Sequence, residues 1–207
     1  MLLLPSLGGL GPHLRRYADG IAASGVTALA WDHFHGESPT DLSFEERMAR
    51  VSRITDDAAY IEQVRLLDYL FAGIGLAKVG VIGWCMGGRY ALLLAAHDHR
   101  LANCVAYHPT ILRPQPAHHI EDAVAWSTQI QCPVQVMVPG ADQIVPADIF
   151  TELGEVLEDR ETGASIIHTY PGAEHAFMDR HGTSEANRIA TTLAWPQTLA
   201  FIRATVL

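Results

Sequence analysis

Lysine is almost missing from this chain: of 14 Lys and Arg residues, only Lys78 is lysine. Charged residues of all kinds make up 18% of the 207 residues, and acidic side chains outnumber basic ones to give a formal net charge of −9. No basic run exists, so a nucleic-acid surface, which needs clustered Lys and Arg against phosphates, is excluded as an expectation. Cysteine is scarce too. Cys85, Cys104 and Cys132 are odd in number, widely spaced and without a CxxC pair, which argues against a disulfide framework or a zinc knuckle. No apolar run approaches the roughly 20 residues that cross a bilayer. Met1-Leu-Leu-Leu-Pro5 lacks the basic start and apolar length of a signal peptide. The expectation is a soluble cytoplasmic protein with no membrane partner.

Hydrophobic residues are plentiful at 49%, enough for a sizeable core. They form short runs at Leu2–Leu4, Val26–Trp31, Val79–Trp84, Cys104–Tyr107, Val134–Val138 and Ser165–Tyr170. Most are continuous rather than alternating, as strands buried on both faces are. Helical patterns lie between them, at about 12–24, 55–73, 87–98, 147–159 and 184–205. This rhythm predicts one α/β domain over 1–207, with a mostly parallel sheet and helices on both faces. Two stretches break it. Residues 36–54 are polar and hold Pro39, and residues 109–120 hold three prolines; both are expected to be irregular segments that cover a pocket. Thr27–Trp31 reads as an open sheet edge, which would make it a pairing surface for a homodimer.

The most informative segment is Gly83-Trp84-Cys85-Met86-Gly87-Gly88. A strand enters it and a helix leaves it, the layout of a nucleophile elbow with Cys in place of Ser. A nucleophile on so sharp a turn has strained backbone, and side chains two residues to either side would collide with the strand or helix. The nearby helix N-terminus favours thiolate. A buried structural cysteine at a strand end is the alternative, and it is the reading for Cys104 and Cys132, which have no glycine frame.

Such a nucleophile needs a base and a group to orient that base. With the order nucleophile, acid, His, the acid falls at Asp142 after the Val134–Val138 strand and the base at His175 after the Ser165–Tyr170 strand. An Asp after Gly140-Ala141 is otherwise a turn or capping residue. The oxyanion donors are expected to be the N–H of Met86 and one from Ser6 or Leu7, since Pro5 has no N–H. Phe34, Trp84, Tyr107, His108 and Phe177 are candidate pocket walls, and Arg180 a candidate for an acid group on the substrate. No cofactor is called for. His33/His35, His97/His99 and His118/His119 leave a metal site open as an alternative, though none has an HExxH-like frame.

On these residues the chain resembles the dienelactone hydrolase (carboxymethylenebutenolidase) family of α/β-hydrolases. Gly83-Trp-Cys85-Met-Gly-Gly is similar to the family's Gly-Tyr-Cys-Leu-Gly-Gly, and Gly140-Ala-Asp142-Gln-Ile-Val-Pro and His175-Ala-Phe177 are similar to its acid and His motifs. The resemblance implies an α/β-hydrolase sheet of about six strands without the usual first two. It also implies metal-free hydrolysis of a small lactone or ester by a Cys85–His175–Asp142 triad. The chain departs from the family at Pro5-Ser6, where members carry a Glu that activates the thiol, and at Arg180, one residue later than a family Arg. A ligand-binding homologue without catalysis, and a DJ-1/PfpI-type cysteine protein, remain alternatives.

Overall fold

A computed structural model describes all 207 residues. Six parallel strands form one sheet in the order β2-β1-β3-β4-β5-β6. They are β1 (Leu2–Leu4), β2 (Leu29–Ala30), β3 (Val79–Trp84), β4 (Leu101–Tyr107), β5 (Val134–Pro139) and β6 (Ser165–Tyr170). The helices are α1 (Pro12–Ala23), α2 (Phe44–Val51), α3 (Asp56–Asp68), α4 (Met86–His97), α5 (Ala123–Trp126), α6 (Ala147–Glu158) and α7 (Glu185–Val206). Parallel strands need a crossover, and helices supply most of the crossovers here. No helix is long and apolar enough to cross a membrane.

Side chains alternate across each strand, so the continuous apolar runs feed two cores at once. Leu2, Leu4, Val79, Val81, Cys104 and Ala106 pack on one face with α3, α4 and α6. Met1, Leu3, Ile82, Trp84, Val105 and Tyr107 pack on the other with α1 and α7. Helix α4 lies deepest, buried from Gly87 to Ala96, and α1 buries only the stripe Leu14, Tyr17 and Ile21.

Three expectations are corrected. The Val26–Trp31 strand shrinks to two residues, because its partner β1 offers only Leu2 and Leu3 for pairing. Residues 36–54 are not wholly irregular. Ser43 and Glu46 close a reciprocal capping box, Ser43 accepting from the Glu46 N–H and the Glu46 carboxylate from the Ser43 N–H, and α2 follows. The helix expected over 55–73 ends as α3 at Asp68 and continues through a wider π-type turn at Tyr69–Gly73. Residues 109–120 are irregular, as expected. They are pinned by a buried pair: both Arg89 terminal nitrogens donate to the Asp56 carboxylate, at 2.6 and 2.9 Å. Arg89 also donates to the Glu121 carbonyl, and Asp56 accepts the Glu121 N–H.

Candidate active site

Cys85 sits between β3 and α4 with φ +59° and ψ −120°, a strained conformation for a side-chain-bearing residue. The elbow glycines are there because backbones meet. A Cβ on Gly83 would lie 1.9 Å from the Gly87 carbonyl oxygen, and one on Gly87 would lie 2.0 Å from that of Leu4. Two further non-glycine residues with positive φ flank the same point, His108 (+36°) after β4 and Ala176 (+59°) after β6. Strain of this kind gathers where a fold over-determines a functional geometry.

The loops after β5 and β6 bring acid and base together. Asp142 Oδ2 lies 2.8 Å from His175 Nδ1, and Asp142 Oδ1 accepts the N–H groups of Ile144 and Val145. Both side chains are buried. The other imidazole nitrogen, His175 Nε2, is buried without a hydrogen bond of normal length. It faces the Cys85 sulfur, and each group shifts the other's pKa. The sulfur also accepts from the Thr110 hydroxyl at 3.1 Å.

Charge follows from these contacts. Burial alone pushes the Cys85 thiol up, but the His175 ring and its charge, the Thr110 hydroxyl and the Met86 N–H outweigh it and bring the thiol below its ordinary value. Burial pulls His175 down, yet the bond to Asp142 and the facing Cys85 sulfur raise it to about 9. Burial likewise opposes the Asp142 carboxylate, and His175 with the two backbone donors holds it below its usual range. The thiol is thus lowered and the facing imidazole raised, with Asp142 on the other ring nitrogen. His108 packs its ring 4.6 Å from that of His175, centroid to centroid. Burial and the neighbouring His175 charge keep it neutral.

The remaining sequence candidates divide. The Met86 N–H points at the sulfur. Ser6 and Leu7 lie in the turn after β1, where the Ser6 hydroxyl takes the Gly8 N–H and the Ser6 carbonyl the Gly9 N–H. Ser6 and Trp84 line a cleft of about 140 Å³ with Thr40, Arg47 and Asp179. There Trp84 stacks on Tyr17 at 4.7 Å, with its indole N–H buried and unpaired. Phe34 lies against Gly9 and faces a different cavity, of about 420 Å³, beside His33 and Arg50.

Tyr107 and Phe177, expected as pocket walls, have no exposed surface and belong to the core, where Tyr107 bonds Thr198. They back the site instead of lining it. Arg180 pairs with Glu174 at 3.2 Å on the surface, so its guanidinium is already engaged. Among the paired histidines, His35 bonds Glu62 and His97 bonds Glu121, and no group of three metal-ligating side chains forms. Thr110 was not legible in the sequence: it belongs to no motif and reaches Cys85 from a segment 25 residues away.

The chain is similar to known proteins along nearly its whole length. A probable 2-oxo-3-(5-oxofuran-2-ylidene)propanoate lactonase from Bradyrhizobium sp is 26% identical, over 98% of this chain and 82% of that protein. A carboxymethylenebutenolidase from Rhodococcus opacus is also 26% identical, over 97% of this chain and 79% of that protein. Matches to other relatives, such as one from Escherichia coli K12, span about two thirds of their length. A crystal structure from Klebsiella pneumoniae, described there as a candidate dienelactone hydrolase, superposes with a TM-score of 0.83 over 96% of this chain and 84% of that one, at 21% identity. The dienelactone hydrolase family description matches residues 1–206. With six parallel strands and a Cys elbow beside a His–Asp pair, the chain belongs to the dienelactone hydrolase family of the α/β-hydrolase fold.

Proposed function

We propose that this carboxylic ester hydrolase cleaves a small lactone or ester through a thioester on Cys85. The observation that carries this reading is the unpaired His175 Nε2, held by Asp142 at the other ring nitrogen and facing the Cys85 sulfur. The thiolate attacks the carbonyl carbon, and the oxyanion is met by the Met86 N–H and one from Ser6 or Leu7. Collapse breaks the carbon–oxygen bond, and His175 gives its proton to the departing oxygen. The neutral imidazole then takes a proton from water, whose oxygen attacks the thioester and releases the acid and the thiolate. Asp142 fixes the tautomer and stabilises the imidazolium each time it forms. The names of the Bradyrhizobium and Rhodococcus relatives, a lactonase and a butenolidase, support a lactone as the substrate class.

Turnover of a panel of small esters and lactones by wild type and Cys85→Ala, side by side, tests this. Hydrolysis that disappears in the variant supports the reading. Hydrolysis that is indifferent to Cys85 defeats the thioester on that residue, and hydrolysis absent across the panel favours a ligand-binding homologue.

A further inference from the structure

The loop after β1 reads Pro5-Ser6-Leu7-Gly8-Gly9, so it brings no charged side chain to the sulfur. The turn after β4 does reach it. Cys85 N–H donates to the Tyr107 carbonyl at 3.0 Å, and the Cys85 carbonyl accepts the Thr110 N–H at 3.0 Å. The Thr110 hydroxyl donates to Sγ at 3.1 Å. One turn thus holds the backbone of Cys85 on both sides and its sulfur as well. That turn is itself tightly held. His108 N–H donates to the Met137 carbonyl, Ile111 is buried, and a Cβ on Gly88 would lie 2.8 Å from the Tyr107 oxygen.

We propose that Thr110 is a positioning residue for the hydrolysis, its hydroxyl anchoring the Cys85 sulfur in one rotamer and stabilising the thiolate. The chemistry is that of a charge-assisted hydrogen bond. A thiol is a weak acceptor and a thiolate a strong one, so a fixed O–H donor favours the charged form. A threonine hydroxyl is no base at neutral pH, so His175 stays the single proton carrier. The groups facing the sulfur are His175 from the loop after β6, Thr110 from the turn after β4 and the Met86 N–H from α4, with Asp142 and the His108 ring against His175.

The proposal rests on Cys85 as nucleophile, but its test does not depend on hydrolysis. The rate of Cys85 alkylation by iodoacetamide is measured against pH for wild type, Thr110→Val and Thr110→Ser, with Cys85→Ala as background. Cys104 and Cys132 are buried with thiols pushed up, so they contribute little. Valine keeps the shape and removes the donor, so the alkylation midpoint is expected to rise by roughly one pH unit, a tenfold change in the thiol–thiolate balance. Serine keeps the donor and should retain the wild-type midpoint. An unchanged midpoint in Thr110→Val, or an equal shift in both variants, overturns the role of the hydroxyl. Either result leaves the nucleophile standing, while hydrolysis that survives Cys85→Ala defeats the functional reading alone. If Thr110→Val fails to fold, Thr110→Ala and Thr110→Ser compared in the same assay keep the same contrast.

Discussion

The turn from β3 into α4 and the turn after β4 both hold Cys85, but they do so by different means. In the first, backbone oxygens come within about 2 Å of where a Cβ would stand on Gly83 and Gly87, so nothing but glycine fits. In the second, one hydroxyl and two main-chain bonds reach across from Tyr107 and Thr110. Close backbone approach leaves a signature in the chain, since it forbids every side chain. A hydroxyl contact leaves none, because threonine is at home in many irregular segments. The glycine turn sets where Cys85 is, and the threonine turn brings a donor to its sulfur.

Four substitutions and a pH series sharpen that contrast. The largest effect is expected at Asp142→Asn, which keeps the turn and loses the group that sets the His175 tautomer. Its kcat should fall by about 10⁴-fold with folding intact, read by steady-state kinetics and circular dichroism. Loss of less than tenfold would mean that His175 is oriented by something else, His108 being the adjacent ring.

Asp56→Ala comes next, since it leaves the Arg89 guanidinium buried without a counter-charge. A loss of about 3–5 kcal/mol in urea unfolding is expected, with much of it recovered in the apolar pair Asp56→Leu/Arg89→Met. Gly87→Ala should follow at about 3 kcal/mol, because the new Cβ meets fixed carbonyls of Leu4 and Pro5 and not a flexible side chain. If Gly87→Ala were neutral in the same unfolding experiment, the glycine turn would be looser than its geometry says.

The pH series has a smaller effect and a definite sign. His175 is raised to about 9, so the stability it contributes is complete below its ordinary value and is lost as pH rises through about 9. Asp142 is lowered, so its contribution is present above the ordinary carboxylate range and is lost in acid. The gap in Tm between wild type and Asp142→Asn should therefore be widest near roughly pH 5–6 and narrow on the alkaline side. A gap that grows with pH would contradict the raised imidazole. The smallest effect is expected at Arg180→Ala, whose exposed pair with Glu174 should leave KM for a neutral ester unchanged.

Much of the fold was legible in the chain, and the places where it was not have physical reasons. Continuous apolar runs mark the sheet because both of its faces are covered. The Val26–Trp31 run reads as a full strand from its residues, but strand length is set by the neighbour, and β1 is only three residues long. Helix α2 is hidden in a polar segment with few apolar positions, and its mark is the Ser43–Glu46 capping box and not periodicity. At the site, Asp142 and His175 stand out because each follows a strand at the same edge of the sheet as Cys85. Tyr107 and Phe177 carry no mark to separate a core ring from a pocket ring, since burial is decided by α7 packing on that face. Thr110 lies 25 residues from Cys85 in a segment without regular structure, beyond the reach of any spacing rule.

The central claim is that Cys85 carries the acyl group. The most direct measurement is intact-protein and peptide mass spectrometry of the enzyme quenched in acid during turnover of an activated ester. The account predicts a mass increase equal to the acyl group, confined to the peptide that contains Cys85 and absent from Cys85→Ala. Turnover with an unmodified Cys85, or an acyl group on another side chain, would contradict it.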